Sequence, residues 1–126
     1  MILRREFTFD AAHRLMQYHG KCEKLHGHTY RMSVDIKGRP DDEGMIMDFV
    51  RVKEIVGAEI ISKFDHAYLN DIIPQPSAEN IARYVFEKLD PLLEGPNCSL
   101  DAVRVWETER SSVIFSRDDM NEARNG

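Results

Sequence analysis

Basic residues are outnumbered in this chain. Its 126 residues carry 17 Lys and Arg against 22 Asp and Glu, a formal charge of -5. That balance argues against nonspecific nucleic-acid binding, which normally needs a cationic surface. An anionic substrate is still possible, because a few local Lys or Arg suffice. Cysteine is scarce, with Cys22 and Cys98 only. Long apolar runs are missing too: no stretch approaches the roughly 18 residues of a membrane-spanning helix. Met1-Ile-Leu-Arg-Arg-Glu lacks the apolar segment of a secretory signal. The expected setting is the cytoplasm, with no membrane and no direct nucleic-acid partner. In that reducing compartment Cys22 and Cys98 read as free thiols rather than a disulfide. No internal repeat or low-complexity segment appears. What is present is ordinary, 42% hydrophobic and 31% charged, and the length suits one domain with a real core. That domain is expected over residues 1–118, with a polar tail over 119–126.

The patterning predicts four strands and two helices. Glu6-Phe-Thr-Phe-Asp10 alternates as a strand, and continued extension puts Ala11 and His13 on the face of Phe7 and Phe9. Residues 14–25 lack a period and read as a loop. From His26 the alternation returns, with His26, His28, Tyr30, Met32, Val34 and Ile36 on one face, ending at Gly38-Arg-Pro40. Asp48 caps a helix expected to run to about Lys63, and Ser77 caps a second one that Pro91 ends. The buried stripe of the second helix is Ile81, Ala82, Val85 and Leu89. Ala102–Thr108 and Ser112–Ser116 read as strands, and the residues from Asp118 as a fraying tail. The order β-β-α-α-β-β suggests an α+β fold, a four-stranded antiparallel sheet with both helices on one face. Two exposed sheet edges favour association into a larger sheet or barrel.

The chemistry concentrates in Cys22-Glu-Lys-Leu-His26-Gly-His28. His26 and His28 project from one strand face, and His13 joins them if the first two strands pair. Three histidines with an open fourth position make a catalytic zinc site. Cys22 is either a fourth ligand, which would close the site, or a base or nucleophile beside the metal. Lys21 or Lys24 and the metal would lower its pKa. Glu23 could do similar proton work or be a solvated loop carboxylate. His19 reads as a surface loop residue. Asp65-His66 pairs a carboxylate with an imidazole it can orient for proton transfer. Glu107 is an acid where the strand pattern calls for an apolar residue. A buried carboxylate there needs partners, such as the N–H edge of a heterocycle; otherwise Glu107 is a solvated strand end.

Cys22-x-x-x-His26-Gly-His28 with upstream His13, then Asp65-His66, Pro76-Ser-Ala-Glu79-Asn80 and Trp106-Glu107-Thr108, resembles the 6-pyruvoyltetrahydropterin synthase family. The short spacer between Cys22 and His26 is similar to its 6-carboxytetrahydropterin synthase branch. The resemblance implies the tunnelling fold, in which three chains close a barrel and two barrels stack as a homohexamer with sites at subunit interfaces. It implies one zinc ion per chain on His13, His26 and His28, and Cys22 as the catalytic thiol. Asp65 and His66 would work with that thiol from the neighbouring chain. Glu107 would anchor the pterin ring, with Thr108 beside it. The implied substrate is 7,8-dihydroneopterin triphosphate and the implied products 6-carboxytetrahydropterin, acetaldehyde and triphosphate, on the route to queuosine in tRNA. Magnesium is a plausible companion of the triphosphate.

Glu23 complicates the assignment. Glu23-x-x-His26-Gly-His28 is similar to a folate-route subgroup in which Glu stands in for Cys and the product is 6-hydroxymethyl-7,8-dihydropterin. With both Cys22 and Glu23, the chain resembles dual-motif members. Ser77 stands where many relatives have Thr, which keeps a hydroxyl cap, and the loop Ile72–Pro76 is short. Two rival readings use the same histidines: a non-catalytic zinc module closed by Cys22, and a zinc hydrolase with metal-bound water as nucleophile.

Overall fold

The computed structural model of the protein describes residues 1–16 and 24–125. Strand β1 (Ile2–His13) and strand β2 (His26–Gly38) form a long antiparallel hairpin. Every second residue of β1 faces inward: Leu3, Phe9, Ala11 and His13 are buried and Phe7 is half-buried. Opposite them Tyr30, Met32, Val34 and Ile36 are fully buried. Phe9 lies across from Tyr30, and their rings stack with centroids 5.1 Å apart.

Asp48 accepts a hydrogen bond from the Val50 amide at 2.8 Å and caps helix α1 (Phe49–Val56). The helical path continues as a π-helical stretch (Gly57–Ile61) and a last turn, α2 (Ser62–Phe64). The expected end at about Lys63 is met within a residue. Strand β3 (Ala67–Tyr68) follows, parallel to β1 opposite Ala11 and Ala12, then a 3-10 turn (Leu69–Asp71). Ser77 accepts from the Asn80 amide at 3.2 Å and caps helix α3 (Ala78–Leu89). Its buried face is Ile81, Ala82, Val85 and Leu89, as the period predicts, with Phe86 added.

Strands β4 (Cys98–Thr108) and β5 (Ser111–Ser116) complete the sheet, in the order β3-β1-β2-β4-β5. Among the described residues the sheet thus has five strands, not the expected four, and one of its pairings is parallel. The extra strand is two residues long, too short to show a period in sequence. Val52, Val56, Ile60 and Phe64 from the first helical run and the α3 stripe join the core with the inward residues of the sheet. The architecture is α+β with the helices packed against one face. The stretch expected to fray is helical: α4 (Arg117–Asn125) buries Met120. Arg117 anchors its start, donating to both Asp90 carboxylate oxygens at 3.0 and 2.6 Å and to the Leu100 carbonyl at 2.6 Å. Among the described residues no helix is long and apolar enough to cross a membrane.

Candidate metal centre and active site

The β1–β2 register sets His13 directly opposite His26, and Ala11 opposite His28. His13 ends the inward face of β1, while His26 and His28 open the inward face of β2. The three rings stand nearly perpendicular to one another, with centroids 4.7 Å apart for His13–His26, 4.7 Å for His26–His28 and 5.1 Å for His13–His28. His13 is fully buried.

The outer hydrogen bonds decide what the rings present inward. His13 Nδ1 lies 2.7 Å from the Pro76 carbonyl oxygen, and His26 Nδ1 lies 2.9 Å from that of Lys24. A carbonyl can only accept, so both Nδ1 atoms carry the proton in the neutral rings and both Nε2 atoms carry a lone pair. Those two Nε2 atoms are 3.2 Å apart. Two lone pairs aimed at each other repel; a shared cation turns the repulsion into binding. Metal-ligating histidines are typically held in this way through their other nitrogen.

Glu107 completes the cluster. Its Oε1 is 2.9 Å from His28 Nε2 and 3.4 Å from His13 Nε2. One donor atom from each of His13, His26, His28 and Glu107 lies within 4.8 Å of every other. Four donors on a tetrahedron about 2.0–2.1 Å from a zinc-sized ion would stand about 3.3–3.4 Å apart. Three of the six donor–donor distances, 3.2, 3.4 and 2.9 Å, scatter around that spacing, and all six are within 4.8 Å. The donor set therefore fits a divalent cation. Glu107 shares the inward parity of Val103 and Val105 and sits at a bulge: Trp106 faces Ser112 and Thr108 faces Ser111, so Glu107 is the extra residue of β4.

Asp65 and His66 form a second cluster with Asp10. Asp65 Oδ1 accepts from the Asp10 amide at 3.0 Å, and the His66 amide donates to the Asp10 carbonyl at 2.6 Å. Asp65 Oδ2 lies 3.1 Å from His66 Nδ1. His66 holds φ at 61°, a left-handed conformation unusual for a non-glycine residue. The Asp10 amide, and more weakly the His66 imidazole, hold the Asp65 carboxyl below its ordinary pKa. Thr29 donates its hydroxyl to Asp10 at 2.5 Å. By strand parity Asp10, Ala12, Gly27 and Thr29 belong to the face opposite His13. His66 borders a groove of about 470 Å³ with these residues, Ala11, Ala67 and His28. Asp65 and His66 therefore sit at the β1 edge, grouped with Asp10 and not with the four-donor cluster of His13, His26, His28 and Glu107.

Thr108 also falls on that outer face, beside a groove of about 280 Å³ with Thr8, Thr29, Arg31 and Trp106. A single chain does not bring it to Glu107's side. Arg31 and Arg104 stack over the Trp106 ring there, at 3.8 and 4.5 Å. Cys22, Glu23 and His19, singled out in the sequence, lie outside the described residues. Asn70 and Gln75 were not singled out in the sequence. Asn70 bonds both the amide and the carbonyl of Arg14, at 2.9 and 2.7 Å; Gln75 does the same for Met16, at 2.7 and 2.8 Å. These two amides fix the path of the chain as it leaves His13. Their only signal in sequence was proximity to the Pro76 segment.

The family profile described as 6-pyruvoyl tetrahydropterin synthase matches residues 2–118. The chain belongs to that family. It is 38% identical over 121 residues to a 6-carboxy-5,6,7,8-tetrahydropterin synthase of Synechocystis sp., covering 90% of this chain and 92% of the relative. It is 35% identical over 106 residues to the dihydroneopterin monophosphate aldolase of Pyrococcus furiosus, covering 84% and 89%. The 6-pyruvoyl tetrahydropterin synthase structure from Caenorhabditis elegans superposes with a TM-score of 0.80 at 28% identity, over 92% of this chain and 94% of that one. The fold is thus the tunnelling fold of the pterin synthases, and this family member is an enzyme of pterin chemistry.

Proposed function

We propose that the protein is a zinc-dependent 6-carboxy-5,6,7,8-tetrahydropterin synthase, acting on 7,8-dihydroneopterin triphosphate in the cytoplasmic route to queuosine. The observation that carries the metal part is the pair of carbonyl-held rings, His13 and His26, whose lone pairs meet at 3.2 Å. His13, His26 and His28 hold the ion, one per chain. Bound zinc supplies Lewis acidity toward the side-chain hydroxyls of the substrate. Cys22, four residues before His26, is the base that removes the substrate proton. His66, oriented by Asp65, relays or returns it. Glu107 accepts from the N–H edge of the pterin, with Thr108 beside the ring, and magnesium accompanies the triphosphate. Atom balance requires one water: substrate plus water gives 6-carboxytetrahydropterin, acetaldehyde and triphosphate.

Asp65 and His66 group with Asp10 at the β1 edge and not with the histidine cluster, which supports a site shared between chains. In this reading the pair serves the site of a neighbouring copy in a homohexamer, a dimer of trimers.

The test is the product. Zinc-loaded protein should release acetaldehyde from 7,8-dihydroneopterin triphosphate, and Cys22→Ala should abolish that release. No acetaldehyde from intact, zinc-loaded oligomer would sink the reading. A second reading is favoured by Glu23 beside Cys22 and by the likeness to the Pyrococcus aldolase. In it the same site, or a dual-function one, forms 6-hydroxymethyl-7,8-dihydropterin with Glu23 directing the proton transfer. It predicts that this product survives Cys22→Ala and disappears in Glu23→Ala.

A further inference from the structure

Glu107 is in two places at once in the reading above. As ring anchor it must offer its carboxylate to a heterocycle. In the structure its Oε1 sits 2.9 Å from His28 Nε2 and 3.4 Å from His13 Nε2, at the corner a fourth ligand would take. The same side chain also borders a cavity of about 180 Å³ formed with Ala78, Glu79, Ser111, Ser112 and Val113. Glu107 thus borders both the histidine cluster and this cavity, and it is the unpaired residue of a bulge, where the ladder does not fix it on both sides.

We infer that Glu107 is the fourth ligand of the metal in the substrate-free protein, so that the site is closed at rest and opens when the ring draws the carboxylate away. This rests on the metal reading above. Its physical basis is that the two jobs use the same lone pairs. A carboxylate oxygen bound to the ion cannot also accept the paired N–H groups of a ring edge at full strength. A three-histidine site keeps a fourth position for water or substrate. An acidic side chain there excludes idle water and small anions until a ligand able to compete for Glu107 arrives. The exchange couples ring recognition to metal activation: a molecule lacking the ring edge leaves the ion capped. Asp65 and His66, grouped with Asp10 rather than with the four donors, are not needed for the exchange.

Cobalt substitution and metal competition test this without turnover. Full-length protein loaded with Co²⁺ should show the intense visible bands of a four-coordinate ion. Glu107→Ala should change those bands and lower zinc affinity at least tenfold in competition with a chromogenic chelator; losses of 10–100-fold are typical even for residues one shell out. Glu107→Gln, which keeps the size of the side chain, should behave alike and serves where the alanine variant does not fold, as judged by far-UV circular dichroism. Neopterin added to the wild-type cobalt protein should move its spectrum toward that of Glu107→Ala. An unchanged spectrum and affinity in both variants would overturn the inference. So would a sulfur-to-cobalt charge-transfer band abolished by Cys22→Ser, which would make the thiol the fourth ligand. A wild-type spectrum unmoved by neopterin up to its solubility limit would refute the exchange. If the wild type binds neither Co²⁺ nor Zn²⁺ stoichiometrically, or His26→Ala binds them equally well, the metal reading itself fails, a different result from the others.

Discussion

His13 is fully buried in a strand face that, apart from Arg5, is made of Leu3, Phe7, Phe9 and Ala11. An imidazole in that setting needs a partner on each nitrogen. It has the Pro76 carbonyl on one side and the metal cluster on the other. Asp65 is the opposite case, an exposed carboxylate tied down locally. The Asp10 amide lowers its pKa first, with His66 adding to the effect. A carboxyl with a lowered folded-state pKa contributes stability above its unfolded value, and that contribution disappears as pH falls through the folded value. The difference in urea midpoint between wild type and Asp65→Asn should therefore be constant at neutral pH. It should shrink only below the ordinary carboxylate value of 3.8. Equilibrium unfolding across an acid series checks this; a gap already closing near neutrality would overturn it. Strand parity in the sequence already placed His13, His26 and His28 together. The lowered Asp65 was not legible, because its main partner is a backbone amide 55 residues away, and amides leave no mark in sequence.

At the scale of elements, the caps were readable and the joints were not. Asp48 and Ser77 both accept from an amide of the first turn, as their positions before an apolar period predict. Ser77→Ala should cost about 1 kcal/mol of unfolding free energy and Ser77→Thr much less. Chemical denaturation at neutral pH measures both. Because Ser77 follows Pro76, whose carbonyl holds His13, a cost well beyond that size would mean the cap also steadies the metal site. The π-helical stretch Gly57–Ile61, the two-residue β3 and the bulge at Glu107 were not foreseen. Each departs from regular structure by a residue or two, within the span over which apolar periods blur. Alternation with the inward Val103 and Val105 already turns Glu107 toward the histidine cluster; the bulge only leaves that residue unpaired with β5. The terminal helix α4 was missed for a different reason. Its sequence is mostly polar, and its hold on the domain comes from Arg117 bridging to Asp90 and Leu100 rather than from a stripe.

At the scale of the whole molecule, the sheet is unfinished. β5 is an edge along its whole length, and β3 covers only Ala11 and Ala12 of β1. Met1, Ile2, Phe49 and Val50 are exposed apolar residues close to the β1 edge. Open edges beside apolar surface favour pairing with further copies. Sedimentation should give the mass of six 14.6 kDa chains. A stable monomer that still turns over substrate would remove the shared-site part of the mechanism.

The sequence by itself determined the α+β order, the inward parity of three histidines, the helix caps and, through its joint motifs, the family. Those properties are set by alternation, spacing and local hydrogen bonding, all of which act between near neighbours. Tertiary structure alone decided that the Pro76 and Lys24 carbonyls fix the tautomers of His13 and His26. It also put Glu107 among those rings and grouped Asp65-His66 with Asp10 at the β1 edge. These depend on where the backbone returns after tens of residues. Geometry of that kind is set by packing, which no local pattern encodes.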